Sequence, residues 1–171
     1  MRFLKGVSVA AALGLTLAGS AAAQSVSGTI NATAQVRQPI TITGAQNLDF
    51  GIVLQGTPKT IASTAAAAGR FDATGTASAN VNVDFTLPAN LTSGANNLAI
   101  GSWTGCYNQG AAVNTSGCTN IANLATTTAT AFGNVSGNGR LWVFVGATVS
   151  PTAAQAVGSY AGTVTMTLTY F

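Results

Sequence analysis

The stretch Tyr160-Ala-Gly-Thr-Val-Thr-Met-Thr-Leu-Thr-Tyr-Phe171 ends the chain and alternates residue by residue. Val164, Met166 and Leu168 fall on one face of an extended segment, whereas threonines occupy the other face. A period of two with β-branched threonine on the wet side predicts a half-buried β-strand over this stretch. Because the pattern continues to the final residue, we expect the sheet to lack the strand that would cover this one.

A second alternating segment occupies residues 26–36. Its apolar and small side chains share one face: Val26, Gly28, Ile30 and Ala32. Serine, threonine, asparagine and glutamine fill the other face, so the segment is predicted to be a strand. A chain with a spare strand near its start and an uncovered strand near its end is suited to polymerisation.

The first 23 residues have the features of a secretory signal peptide. Arg2 and Lys5 precede an apolar run over residues 7–18, and Ser20-Ala-Ala-Ala23 supplies an Ala-x-Ala cleavage site. The apolar run is shorter than a membrane-spanning helix requires. We therefore expect an exported protein whose mature chain begins at Gln24 and forms one domain.

Charged residues are scarce, with six Lys and Arg, three Asp and no Glu or His in the whole chain. After the predicted cleavage the charged residues are Arg37, Lys59, Arg70, Arg140, Asp49, Asp72 and Asp84. This set contains no basic cluster of the kind that nucleic-acid binding needs. A surface of Thr, Ser, Asn, Gly and Ala suits a protein that is packed against copies of itself or lies outside the cell.

The two cysteines, Cys106 and Cys118, both lie in the part predicted to be exported. In an oxidising compartment they are predicted to form a structural disulfide that closes a short loop. Their spacing differs from Cys-x-x-Cys, and no histidine is present to complete a zinc site. We expect neither redox chemistry nor metal binding from this pair.

Catalytic groups are sparse in residues 24–171. A general acid or base would come from three scattered aspartates, one lysine or a tyrosine, and no base is available to activate a serine. No glycine-rich phosphate loop of the required form is present. We therefore expect neither an enzyme nor a bound small-molecule cofactor.

Strand signals recur along the rest of the chain. Further strands are predicted over residues 40–42, 48–54, 71–73, 80–87, 98–103 and 140–149. The last of these is a continuous apolar run, which predicts a strand buried on both faces. Residues 108–130 are rich in Asn, Thr, Ala and Gly and are predicted to form a long surface excursion. Strands of this number and spacing predict an all-β sandwich or barrel.

Three motifs resemble the spore coat protein U group, which includes the major pilins of archaic chaperone–usher pili. They are Val26-Ser-Gly-Thr-Ile-Asn-Ala, Leu48-Asp-Phe-Gly51 and the terminal Gly158-Ser-Tyr-Ala-Gly-Thr run. The chain also resembles a related group of Gram-negative exported domains that share the Leu-Asx-Phe-Gly and Gly-x-Tyr-x-Gly-Thr motifs. The cysteine that the archaic pilins usually carry soon after the first strand would fall near residues 43–44, and this chain has none there.

The resemblance implies an immunoglobulin-like β-sandwich over residues 37–171 that lacks its last strand. Residues 24–36 of a neighbouring subunit would fill the resulting groove by β-augmentation, with Val26, Gly28, Ile30 and Ala32 in its pockets. The edge of the groove would be formed by Val164, Met166, Leu168, Tyr170 and Phe171. The implied partners are further copies of the chain, a periplasmic chaperone and an outer-membrane usher. The implied product is a pilus at the cell surface for adhesion and biofilm formation.

Two other interpretations are open at the level of sequence. Residues 26–36 would be an ordinary first strand in a closed, monomeric sandwich, secreted as a binding module. Trp103, Tyr107 and Trp142 would then supply a stacking surface for carbohydrate. A small outer-membrane barrel would need about eight strands of roughly 9–11 residues, and several predicted strands here are shorter.

Overall fold

The computed structural model describes residues 24–171, and the predicted signal peptide and cleavage site at 1–23 lie outside them. The described part contains strands and no helix, so the all-β prediction is confirmed. The strands are β1 (Thr41–Gln46), β2 (Lys59–Ile61), β3 (Gly69–Thr76), β4 (Asn80–Thr86), β5 (Asn90–Ser93), β6 (Asn96–Asn108), β7 (Thr119–Ile121), β8 (Thr128–Ala131), β9 (Gly133–Val135), β10 (Asn138–Ser150) and β11 (Thr165–Tyr170). Residues 36–171 form one compact unit, and the residues before Val36 belong to a separate unit.

Two antiparallel sheets make up the compact unit. The larger sheet has the order β1-β3-β10-β6-β5, and the short strands β2, β7 and β9 pair with β10, β6 and β10 respectively. The smaller sheet has the order β11-β4-β8. Val81 and Val83 of β4 and Leu141 and Val143 of β10 meet in one core cluster, so the sheets pack face to face. The predicted β-sandwich is confirmed; its completion by a donor strand stays a prediction.

Strand β10 explains the continuous apolar run that the sequence contains. Leu141, Val143 and Val145 point into the core between the sheets. Trp142 and Phe144 point to the opposite face, where they pack against the disulfide. Cys106 and Cys118 are bonded as predicted, with Cα atoms 5.7 Å apart, so their loop covers the outer face of β10. Because β10 is covered on both faces, apolar residues are favourable at every position.

Three sequence predictions differ from the structure. Residues 48–54 form no strand, because a local turn interrupts them: the carboxylate of Asp49 accepts a hydrogen bond from the Gly51 amide at 2.7 Å, and Gly51 has a φ of 57°. The C-terminal strand is limited to β11, since Ala161 exchanges two backbone hydrogen bonds with Thr92 across the sandwich. The excursion over 108–130 carries β7 and the start of β8.

The predicted strand at 26–36 is also not formed in the single chain, where residues 24–40 have no regular structure. A strand requires a hydrogen-bonded neighbour, and an alternating sequence alone does not supply one. Val26 and Ile30 are 86% and 94% exposed. The segment therefore keeps its strand-forming pattern but adopts no regular structure in the single chain.

Candidate functional site, an apolar groove beside the C-terminal strand

A groove of about 840 Å³ lies against the larger sheet. Its lining comes from β1, β3, β5, β6 and β10 and from two segments, 47–55 and 155–164. No residue of β4, β8 or β11 contributes to the lining. The groove therefore occupies the part of the larger sheet that the smaller sheet leaves uncovered.

The floor of the groove is apolar because the long strands β6 and β10 direct alternate side chains towards it, and those side chains are apolar. Ile100 and Val149 belong to a second core cluster that lies beneath the groove. In β6, Ser102 adopts a φ of 47°, and the register with β10 shifts between Gly146 and Thr148. This bulge changes the phase of β6, which places Trp103 on the same side as Ile100. Trp103 is thereby half-buried in the groove.

The first wall is built by the Leu48-Asp-Phe-Gly51 turn. The Asp49 amide bonds to the Ala67 carbonyl at 3.1 Å, and the turn buries Phe50 in the cluster under the groove. Beyond the turn, the Lys59 ammonium donates a hydrogen bond to the Ile52 carbonyl at 3.0 Å. The Leu48-Asp-Phe-Gly51 motif thus has a conformational role, because its turn places the side chain of Phe50 in the wall.

The second wall is the segment that leads into β11. The Tyr160 hydroxyl donates to the Ala156 carbonyl at 2.7 Å and accepts a hydrogen bond from Gln155 at 2.8 Å. A Cβ atom built on Gly162 would lie 2.8 Å from a methyl carbon of Leu91. Gly162 therefore lets the wall approach β5 closely, which accounts for the second glycine of the Gly-x-Tyr-x-Gly-Thr motif.

The rim of the groove exposes large apolar side chains. Ile52, Leu54 and Val157 are 85%, 67% and 94% exposed, and Ile52 and Val157 contribute to the lining on opposite walls. Among the lining residues in the described range 24–171, Asp49 is the sole charged one. The lining also includes polar side chains such as Asn47, Gln55 and Gln155, so the exposed apolar residues lie among hydrogen-bonding groups.

Strand β11 is an edge strand within the described part of the chain. It pairs with β4 on one side and is the outermost strand of the smaller sheet. Strand β1 is likewise the outermost strand of the larger sheet, and its six residues are all exposed. Strand β1 contributes Gly44 and Gln46 to the groove lining and β11 contributes none, and the outer edge of each strand is a template for another strand.

The residues predicted to form the groove edge divide into two groups. Val164 is half-buried and lines the groove. Met166 is buried in the core, and Leu168 and Tyr170 pack against that core from the inner face of β11. Phe171 is 59% exposed at the chain end. Of these five residues, Val164 alone lines the groove, and Met166, Leu168 and Tyr170 hold β11 against the core.

The residues predicted to form the donor strand are accessible in the single chain. Val26, Ile30 and Ala32 are exposed, and a Cβ atom on Gly28 would meet nothing within 4 Å. No charged residue occurs over residues 24–36. This composition matches the nearly uncharged lining of the groove.

The three aromatic residues considered for carbohydrate stacking lie in different places. Trp142 is 7% exposed, and its indole N–H donates to the Gly110 carbonyl at 2.9 Å beneath the disulfide loop. Tyr107 packs against the main core, whereas Trp103 lies in the groove. Sequence reasoning identified Trp103 as an aromatic candidate but missed its location, because the bulge at Ser102 leaves no clear sequence signal.

Metal-binding and membrane-spanning features were sought in residues 24–171. No group of three His, Cys, Asp or Glu residues there is close enough to hold a metal ion. In the same residues no helix has the length and hydropathy needed to cross a membrane. The groove is thus the main candidate for a functional surface in the described chain.

Comparison with known proteins adds no family. No family model matches this sequence, and no curated protein matches it significantly. The functional argument therefore depends on the geometry of the groove and on the sequence of residues 24–36.

Proposed function

We propose that this protein is a structural subunit of a surface fibre, in which each groove holds residues 24–36 of another copy. These residues are called the arm below. Two observations carry the proposal: the groove, whose wall includes Val164 just before β11, and β11 itself, an edge strand with one unpaired side among the described residues. An inserted strand would complete the sandwich with main-chain hydrogen bonds to that edge and with side chains in the groove.

The arm and the groove are chemically complementary. Every second residue of the arm from Val26 to Ala32 is apolar or small, as a strand with one face in an apolar groove requires. The arm is uncharged, and Asp49 is the sole charged residue of the lining. Insertion of the arm therefore requires no ion pair and removes few charged groups from water.

Hydrophobic burial would supply much of the binding energy. Val26 and Ile30 are almost fully exposed in the single chain, at 86% and 94%. Burying each would contribute about 1.5–3 kcal/mol. Each main-chain hydrogen bond along β11 would add about 0.5–1.5 kcal/mol.

The same surface would be a hazard before assembly. An apolar groove beside an unpaired strand edge attracts other chains and leads to aggregation. The proposal therefore includes a periplasmic chaperone that covers the groove and an outer-membrane usher that exports the subunits to the cell surface. Adhesion and biofilm formation are the proposed roles of the fibre.

The test compares material shed from the cell surface on two gels, one loaded without heating and one loaded after boiling in acid. The proposal predicts a ladder at multiples of the subunit mass that collapses to monomer after boiling. A single monomer band under both conditions would contradict the proposal. That result would favour the closed, secreted binding module.

A further inference from the structure

We infer that a second cavity, on the other face of the larger sheet from the groove, binds a sugar that carries one carboxylate. This cavity, called the outer cavity below, has a volume of about 320 Å³. It lies between residues 64–68 and residues 113–115, and Gln46, Arg70 and Phe144 complete its lining. The inference goes beyond the proposed function, because the lining comes from one subunit and requires no other copy.

The alternation of β3 places the groove and the outer cavity on opposite faces of the sheet. Gly69 and Phe71 line the groove, whereas Arg70 lines the outer cavity. Arg70 is opposite Phe144 in the β3–β10 ladder, and Phe144 packs against the disulfide on the outer face. Side chains that are opposite each other in a ladder share a face. An occupant of the groove therefore leaves the outer cavity accessible.

The Arg70 guanidinium is the charged group of the outer cavity, and Asp72 holds it in place. Nε donates to Oδ1 of Asp72 at 2.7 Å, and Nη2 donates to Oδ2 at 3.3 Å. Among the lining residues in the part of the chain that the structure describes, Arg70 is the sole charged one. A guanidinium has five N–H donors in a planar fork, so the pair with Asp72 fixes its plane and leaves donors for a ligand carboxylate.

The charge balance of this face matches a ligand with one negative charge. Asp72 is opposite Trp142 on the outer face, and the guanidinium carbon of Arg140 lies 5.6 Å from the centre of the Trp142 ring. Arg70, Arg140 and Asp72 thus give two positive charges and one negative charge, a net charge of +1. A carboxylate neutralises this charge. A phosphate carries up to about two negative charges, which would leave an excess beside Asp72.

Neutral hydrogen-bonding groups accompany the guanidinium and favour a sugar. Thr64 and Thr115 contribute hydroxyl groups to the lining, and Gln46 and Asn114 contribute amides. Both kinds of group donate and accept hydrogen bonds, as sugar hydroxyls do. A volume of about 320 Å³ is at the lower end of the range for ligand pockets, so the cavity suits a single sugar ring.

Both walls of the outer cavity are held by contacts within the subunit. The side-chain amide of Gln46 donates to the Ala66 carbonyl at 2.5 Å, which ties the first wall to β1. The side-chain oxygen of Asn114 accepts a hydrogen bond from the Ser116 amide at 2.7 Å, and the second wall belongs to the loop that the disulfide closes. The cavity is therefore formed before a ligand binds, which lowers the cost of ordering its side chains.

The test measures binding of four probes to the full mature chain by saturation-transfer NMR, which observes the probe and suits monomer and polymer alike. Glucuronate carries the sugar ring and the carboxylate, glucose carries the ring alone, acetate carries the carboxylate alone, and inorganic phosphate carries a higher charge. We expect saturable glucuronate binding with a Kd of about 1 mM and at least about tenfold weaker binding of the other three. No saturable glucuronate binding would overturn the inference, and so would acetate, glucose or phosphate binding as tight as that of glucuronate.

Two variants assign the binding to the outer cavity. Arg70→Gln removes the guanidinium, and Arg140→Gln is its matched control because it removes the same charge from the same face outside the lining. Ala66→Phe fills the cavity from an exposed position, keeps the charge and decides the matter if Arg70→Gln fails to fold. We expect glucuronate affinity to fall about tenfold in Arg70→Gln and Ala66→Phe and to change less than about threefold in Arg140→Gln. Unchanged binding in either folded cavity variant, or an equal loss in the two arginine variants, would overturn the inference.

The unheated gel separates this inference from the proposed function. Arg70 lies outside the groove lining, so Arg70→Gln should keep the ladder of the parent chain. A parent chain that binds glucuronate and forms no ladder would overturn the proposed function alone. A parent chain that forms a ladder and binds no glucuronate would overturn this inference alone.

Discussion

Replacement of Ile30 by aspartate tests the fit between arm and groove at one position. Ile30 is 94% exposed in the single chain, so the substitution removes no contact of the folded sandwich. We expect the subunit to fold and to be exported normally. Assembly should fail, because the same side chain is expected to be buried when the arm is inserted.

The size of the effect follows from two contributions. Loss of the buried isoleucine side chain removes about 1.5–3 kcal/mol of binding free energy. An aspartate in the groove loses solvent and finds no Lys or Arg among the lining residues, which costs at least about 1–3 kcal/mol more. A combined loss of about 4 kcal/mol weakens each link roughly a thousandfold.

The assay is the unheated gel of shed material, with the melting temperature of the purified subunit as a measure of folding. Asn31→Asp is the matched control, because it places the same charge on the neighbouring residue of the opposite face. We expect Ile30→Asp to abolish the ladder and Asn31→Asp to retain it. The reasoning would be refuted by an unchanged ladder in Ile30→Asp, or by equal disruption in both variants.

Three further predictions concern the arm, the disulfide and the packing at Gly75. Deletion of residues 24–33 should give a folded, exported and aggregation-prone subunit without a ladder, and normal polymers from this chain would argue against the arm. Cys106→Ser with Cys118→Ser opens a loop of sequence separation 12 and should lower the free energy of unfolding in urea by about 3 kcal/mol; no change would contradict a stabilising disulfide. Gly75→Ala should destabilise the subunit by about 1–3 kcal/mol in the same assay, because the added methyl group meets two aromatic side chains. Gly101→Ala, where a Cβ atom meets nothing within 4 Å, is its control, and equal effects would show that steric overlap at Gly75 is not the cause.

The sandwich could be predicted from sequence where side-chain pattern and burial coincide. Strand β4 alternates between buried and accessible positions, and Val81 and Val83 lie in the core as the pattern predicts. Strand β10 was recognisable because both of its faces are covered, which gives an unbroken apolar run. In both strands the local pattern reports directly on the tertiary environment.

The walls and floor of the groove could be predicted only in part. The apolar spacing over 48–54 imitates a strand, but the hydrogen bond between Asp49 and Gly51 imposes a turn. The bulge at Ser102 changes the face on which Trp103 lies, and the sequence Ile100-Gly-Ser-Trp103 gives no signal of it. These features depend on single backbone conformations, which hydrophobic periodicity does not encode.

The arm shows a different limit of sequence reasoning. The alternation over 26–36 indicates a strand, but it carries no information about which chain supplies the partner. Val164 was assigned to the groove edge because it continues the β11 pattern, and the structure places it on the wall that leads into β11. The hydrogen bond from the Tyr170 hydroxyl to the Gln38 carbonyl could not be predicted, because the two residues are 132 positions apart in the sequence.

Electron cryomicroscopy of shed fibres tests the central claim most directly. The account predicts an extended strand beside β11 in every groove, formed by residues 24–36 and continuous at Val36 with the neighbouring subunit. Side chains of that strand should alternate, with Ile30 directed into the groove. A groove that is empty, or that holds the arm of its own subunit, would contradict the account.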